Sequence, residues 1–319
     1  MTPSSAIAAD QGKPIRVGII GLDTSHVVAF TKSMNDKNAT GDLAAVEVVA
    51  AFPGGSPDVP TSRDRVEGYT KQLRDMGVEI VGSIDELLPK VDAVLLESVD
   101  GRPHLEQAKP VIKAGKPLFV DKPVAGTLAD AVAIYRLAKE HNVPCFSSSS
   151  LRFSPGIIGM RNDQRVGEVL GCDAYGPCSL EEHHPDLFWY GIHGVEILFT
   201  IMGTGCESVS RTQTADGELV VGVWNGKRIG TFRGLRAGKS DYGATVFGSK
   251  GIAPSGSYEG YEPLVVQIAK FLQTGKPPIS AEETLELYAF MEAADESKRQ
   301  GGKPVTIASV LEKAQAAAR

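Results

Sequence analysis

Residues Ile15 to His26 read IRVGIIGLDTSH, and this stretch decides the fold. A β-rich run ends at Gly21, and Thr24 and Ser25 then offer N-cap side chains to a helical stretch that continues through Met34. Strand, tight turn and helix in that order form the opening unit of an α/β sheet.

The unit recurs outward from there. Val46 to Phe52 (VEVVAAF) is a second strand, followed by the loop PGGSPDVPTS and a polar helix reaching Met76. A short strand at Val78 to Val81 precedes Ser83-Ile84-Asp85-Glu86, a capping box that opens another helix. Asp92 to Ser98 (DAVLLES) is almost wholly apolar, as a parallel strand buried on both faces requires. A helix from Pro103 to Gly115, a strand at Pro117 to Val120, a helix at Leu128 to His141 and a strand at Pro144 to Ser147 complete the series. Strands alternating with helices at this spacing dictate a doubly wound parallel sheet with right-handed crossovers, so residues 13–150 read as a Rossmann-type nucleotide-binding domain.

Beyond Ser150 the texture changes to longer strand-like runs: Glu168 to Tyr175, Glu207 to Thr214, Glu218 to Trp224, Arg228 to Phe232 and Ala244 to Phe247. Asn225-Gly226 is a strong hairpin signal between two of them. With helices at Ile192 to Met202, Pro263 to Thr274 and Ala281 to Gln300, residues 151–319 read as an α+β substrate and oligomerisation domain with a largely antiparallel open sheet. A chain of 319 residues exceeds what one core spans, which agrees with two domains.

Composition narrows the function classes. The chain is 42% hydrophobic and 23% charged, with a net charge of -6. Nucleic-acid binding needs a clustered positive surface, so the expected partner is a small molecule. No apolar run approaches the roughly 20 residues that span a bilayer, so a membrane role is excluded and a cytoplasmic location expected. Ala6-Ile7-Ala8 followed by Ala9-Asp10 resembles the small-residue end of a secretory signal, which opens a periplasmic or secreted alternative. The four cysteines are too scattered for a disulfide framework or a CxxC knuckle, and read as buried apolar side chains.

The run AGKPLFVDKPVAGTLADA, Ala114 to Ala131, resembles the GKHVLCEKP segment of the glucose-fructose oxidoreductase and inositol dehydrogenase (Gfo/Idh/MocA) family, with Asp121-Lys122-Pro123 for Glu-Lys-Pro. Val91-Asp92-Ala93-Val94, Val166-Gly167-Glu168-Val169 and Phe247-Gly248-Ser249-Lys250-Gly251 match in register, and Gly191-Ile192-His193 resembles the end of the family's D-x-G-x-H segment. The likeness spans residues 15 to 308. It implies an NAD(P)-dependent oxidoreductase acting on a sugar, polyol or related alcohol, and a homo-oligomer built through the second domain. By the same resemblance Lys122 bonds the reacting hydroxyl and the nicotinamide ribose, His193 supports proton transfer, and Ser98, His104 and Asp121 line the cofactor site.

The cofactor loop departs from that pattern. A dinucleotide turn uses one glycine to turn, one to admit the pyrophosphate and one for helix packing. Gly21-Leu22-Asp23-Thr24-Ser25-His26 keeps the first alone, leaving Gly21, Asp23, Thr24, Ser25 and His26 as the cofactor-facing positions. A carboxylate at position 23 pointing at a phosphate about 4 Å away would cost about 4 kcal/mol at an effective dielectric near 20, nearly a thousandfold in affinity. Asp23 is therefore expected to point away, as a helix cap, or to exclude the usual pyrophosphate pose. The second strand ends in Phe52-Pro53-Gly54-Gly55, without the acid that accepts from the ribose, and Ser56, Ser62 and Arg63 are candidates for a 2′-phosphate, hence NADP as an alternative to NAD.

The densest cluster of functional side chains is EEHHPDLFWYGIHGVE, Glu181 to Glu196. Trp189 stands four residues before His193, where the family has an aspartate. An indole shares no proton and instead makes a sugar-stacking platform. We read Arg152, His183, Trp189 and Tyr190 as substrate-facing, and Lys122, His193 and His184 as proton-handling. No metal is assigned; the alternative is a divalent ion on His183, His184 and His193. Two other functions stay open on these residues: a non-redox lyase, hydratase or isomerase acting on a keto-sugar through the three histidines, and a non-catalytic binding protein on the same fold.

Overall fold

The computed structural model describes residues 13–318, so the Ala6-Ile7-Ala8 segment lies outside the described residues. The chain divides into two compact units. The first comprises residues up to Gly126, Ala133–Ser148 and Tyr261–Ala281, and the second Thr127–Val132, Ser149–Gly260 and the residues from Glu282 onward.

The first unit holds six parallel strands, β1 (Ile15–Ile20), β2 (Val46–Phe52), β3 (Glu79–Ile80), β4 (Ala93–Leu96), β5 (Leu118–Val120) and β6 (Cys145–Ser147). Their order is β3-β2-β1-β4-β5-β6, so the winding reverses between β1 and β4. Ligands of open α/β sheets bind at the carboxyl ends of the strands flanking such a reversal. β4 and β5 are fully buried, as their apolar sequences require. The Glu262–Thr274 helix belongs to this unit, whereas the sequence pattern placed it with the second domain. Its stripe of Leu264, Ile268, Phe271 and Leu272 is buried, and Phe271 meets Phe146 of β6 edge to face at 4.8 Å. That pairing joins residues remote in sequence, which local periodicity does not encode.

The second unit holds β7 (Val169–Pro177), β8 (Cys206–Gln213), β9 (Gly217–Trp224), β10 (Arg228–Leu235), β11 (Gly243–Gly248), β12 (Ile252–Pro254) and β13 (Val305–Thr306). The order is β12-β11-β7-β10-β9-β8-β13, antiparallel except for the β7–β10 pair. The Asn225-Gly226 signal is realised as the tight β9–β10 connection, with Gly226 at φ 69°. One face of this sheet carries the Ile192–Met202 helix, every residue of which is buried. The four cysteines are free and buried, consistent with their apolar reading. No helix among the described residues is long and apolar enough to cross a membrane.

The helix lies close to the sheet because position 194 is glycine: a Cβ there would overlap the Phe232 ring of β10. Gly194→Ala should therefore destabilise the protein by about 1–3 kcal/mol through overpacking, read as a lowered urea midpoint at unchanged m-value, and Phe232→Leu in the same chain should restore part of the loss.

Candidate functional site

The first cluster lies at the reversal point. Gly21 adopts φ 88°, and a Cβ there would sit 2.5 Å from the Ser98 backbone nitrogen, so the turn after β1 lies directly against the end of β4. Its N–H donates to Phe52 O (2.9 Å) and that of Leu22 to Pro53 O (2.7 Å), which fastens the turn to the loop after β2. The Ser25–Met34 helix starts from Thr24, whose hydroxyl accepts from His26 N–H.

Asp23 is buried and turned inward, accepting from Val99 N–H (2.9 Å) and the Ser62 hydroxyl (2.6 Å), while Ser62 accepts from Ser56 N–H (2.8 Å). It is therefore a tie between loops and not the helix cap; Thr24 is the cap. Burial raises the Asp23 carboxyl above its usual range, with the Ser62 and Val99 hydrogen bonds opposing. The hydroxyl of Ser62, a candidate for a 2′-phosphate, donates to Asp23 in this structure. Arg63 pairs with the adjacent Asp64 on the surface. Asp58, further along the loop after β2, is gripped by Arg102, which also holds Asp100 after β4.

His26, at the position of the third loop glycine, turns its ring inward. Its Nδ1–H donates to Asp121 Oδ2 (2.7 Å), and Glu97 Oε2 lies 3.9 Å from the same nitrogen. Burial pushes the Glu97 carboxyl well above its ordinary value, Asp121 adding to this and Lys122 opposing. Burial alone would raise Asp121 too, but His26 and Lys122 outweigh it and hold it below the usual range. Lys122, also buried, is pulled below the ordinary lysine value by desolvation, against the pull of Asp121 and Glu97. Ser98 donates to Gln107 Oε1 (3.0 Å). His104 is a buried brace: Nε2 lies 2.8 Å from Ser98 O and Nδ1 3.3 Å from Val124 O, and burial lowers its pKa, the hydrogen bonds to these carbonyls opposing.

Glu97 escaped the sequence reading. An acid at the end of an otherwise apolar buried strand, in DAVLLES, was the signal available.

The second cluster belongs to the other unit. A π-helical turn, Leu187–Gly191, feeds the Ile192–Met202 helix, an irregularity frequent at functional sites. His193 Nδ1 lies 2.7 Å from Ser149 Oγ, and Tyr190 and Tyr242 meet its ring edge to face at 5.6 and 5.8 Å. His183 and His184 turn to Glu181 instead, at 2.7 and 2.6 Å through Nδ1. The three histidines thus do not share a centre, which corrects the metal alternative on them: among the described residues, the group of His, Cys, Asp and Glu ligand atoms that converges is His26, Glu97 and Asp121. Trp189 is buried against His184 at 4.9 Å between ring centroids, and the Arg152 guanidinium is buried between Glu196 and Glu283. Tyr190 is the exposed member of the set.

Residues 15–149 match the model of the oxidoreductase family with an NAD-binding Rossmann fold. The dehydrogenase aclE of Aspergillus oryzae is 30% identical over 159 residues, covering 49% of this chain and 42% of that protein. The 1,5-anhydro-D-fructose reductase of Ensifer adhaerens is 30% identical over 128 residues, covering 39% and 38% respectively. The chain thus spans less than half the length of these curated relatives. A putative myo-inositol dehydrogenase from Sinorhizobium meliloti superposes with a TM-score of 0.75 at 17% identity over 92% of this chain and 99% of that one, a likeness of fold.

Because Asp23 satisfies two buried donors, Asp23→Ala should cost about 2–4 kcal/mol by chemical denaturation, and Asp23→Asn, which keeps an acceptor, clearly less.

Proposed function

We propose, from the match of residues 15–149 to the oxidoreductase family with an NAD-binding Rossmann fold, that this chain is an oxidoreductase of the Gfo/Idh/MocA type that moves a hydride between a nicotinamide cofactor and a sugar, polyol or related alcohol. The observation that carries this reading is Lys122, a buried lysine just past the carboxyl end of β5, inside the stretch that matches the family's NAD-binding model.

The residues at the reversal point fit the phosphate half of the cofactor. The Gly21 turn and the helix N-terminus behind Thr24 would hold a pyrophosphate, with the Asp23 charge directed inward. Of the two cofactors the reading favours NAD, since Ser62 is committed internally and Arg63 is paired with Asp64. When bound, the nicotinamide ring supplies the hydride acceptor. Lys122 Nζ, in the neutral amine form that desolvation favours, would accept the hydrogen bond of the reacting hydroxyl and take up its proton as the carbon loses hydride. His193, its ring fixed by Ser149, is the second proton-handling residue implied by the resemblance.

A second reading, a lyase, hydratase or isomerase step on a keto-sugar, is favoured by the way Glu181 draws His183 and His184 together. It requires turnover that persists without nicotinamide and falls in His184→Ala.

Self-association is supported by the open face of the second sheet, where Val223 and Ile229, both exposed, pair directly across β9 and β10. Light scattering should return a multiple of 33.8 kDa, reduced towards that mass in Ile229→Glu.

Calorimetric titration of the full chain with NAD+ should show saturable binding. Lys122→Ala should keep that affinity within about threefold while lowering kcat on an inositol or anhydro-sugar panel by about 10²–10⁴-fold. The absence of both binding heat and a thermal shift with NAD+ and NADP+ would remove the redox reading.

A further inference from the structure

We propose that His26, Glu97 and Asp121 are the ligands of a divalent transition-metal ion, Zn²⁺ by their chemistry, held in a closed site at the carboxyl ends of β1, β4 and β5. The three side chains come from different segments, the first turn of the Ser25–Met34 helix and the residues that follow β4 and β5. Their exposures are 8%, 0% and 1%, and their ligand atoms all lie within 4.8 Å of one another.

The separations suit an ion. His26 Nδ1 is 2.7 Å from Asp121 Oδ2 and 3.9 Å from Glu97 Oε2. These values bracket the edge, roughly 3.3 Å, of a tetrahedron whose bonds to nitrogen and oxygen are about 2.0–2.2 Å.

The second observation is independent of that convergence. Both oxygens of Glu97 and Oδ1 of Asp121 are buried without a hydrogen-bond donor among the described residues. Buried carboxylate oxygens are ordinarily satisfied, by donors or by a cation. An ion held by His26 Nδ1, one oxygen of Asp121 and both oxygens of Glu97 would have four protein donors and would satisfy Glu97, and it would satisfy Asp121 Oδ1 as well where that oxygen is the ligand.

Charge points the same way. Ligation requires Glu97 ionised and the His26 proton on Nε2, and in that state the two carboxylates and the neutral imidazole carry two negative charges, to which Asp23 adds at Glu97. Lys122 lies near both carboxylates and brings a single positive charge, but no hydrogen bond to Glu97. An imidazole with hard oxygens selects zinc or manganese over softer ions. Phe30, stacked on the His26 ring at 5.5 Å, and Tyr261, edge-on at 4.8 Å, fix the direction of Nδ1.

The ion would tie the helix after β1 to the ends of β4 and β5 at the position where a dinucleotide turn ordinarily packs its third glycine. This role does not depend on the nicotinamide reading.

The test is elemental analysis by mass spectrometry of the untagged full chain, purified without chelator. About one zinc per chain is expected. Stripping with dipicolinate should lower Tm by about 5 °C or more, and added Zn²⁺ should restore it. Glu97→Gln, which preserves shape, should lose the metal and its thermal response. Wild-type protein that holds no stoichiometric metal and whose Tm ignores added Zn²⁺ and Mn²⁺ overturns the proposal, and leaves a proton shared between the carboxylates to explain the unpaired oxygens. Full metal content in both Glu97→Gln and Asp121→Asn also overturns it, by placing the ion elsewhere. Should Glu97→Gln fail to fold, the wild-type stoichiometry and its thermal response decide alone.

Discussion

The first unit depends on one close approach, the turn after β1 lying against the end of β4. Gly21 permits it sterically, because no side chain fits between that backbone and Ser98. Asp23 then fixes it electrostatically by joining Val99 and Ser62, and Arg102 repeats the connection further out between Asp58 and Asp100. Three loops that carry the ligand edge of the sheet are thus held by buried or half-buried polar contacts in place of a glycine-rich turn. Such contacts specify geometry because each leaves an unsatisfied partner if broken.

Polar groups buried in the second unit impose a similar discipline. Arg152 joins Glu196 of the buried helix to Glu283, and Arg211 gathers Asp186, Glu218 and Asp295. Removing any one member would strand a charge away from water, so these networks fix which helix meets which strand more than they add net stability. His193 inherits its position from that helix. The preceding π-helical turn displaces Tyr190 outward while the helix itself stays buried.

Most of the fold was legible from pattern. Alternating strands and helices named the parallel sheet, the apolar DAVLLES run named a strand buried on both faces, and Asn225-Gly226 named a hairpin, because each is signalled by residue types and periodicity within a short stretch, although the strand pairing itself is long-range. The return of Glu262–Thr274 to the first unit was not legible, since the choice of surface for an amphipathic stripe is made at long range. The candidate site divides the same way. Asp23, His26 and Lys122 stood out by type and place, but the inward orientation of Asp23 and the partnership of His26 with Glu97 and Asp121 did not. The histidine-rich run was the more conspicuous string, yet its members face different partners.

The sequence by itself determined the alternation of elements, the likeness of the first half to the NAD-binding family and the departure of the cofactor turn from three glycines, because backbone propensity and motif spacing are written locally. Tertiary structure alone decided where each charged side chain points. Burial makes that choice: a carboxylate such as Asp23 or Glu97 takes its meaning from which donors or cations reach it once water is gone, and those come from residues 39 to 76 positions away for Asp23.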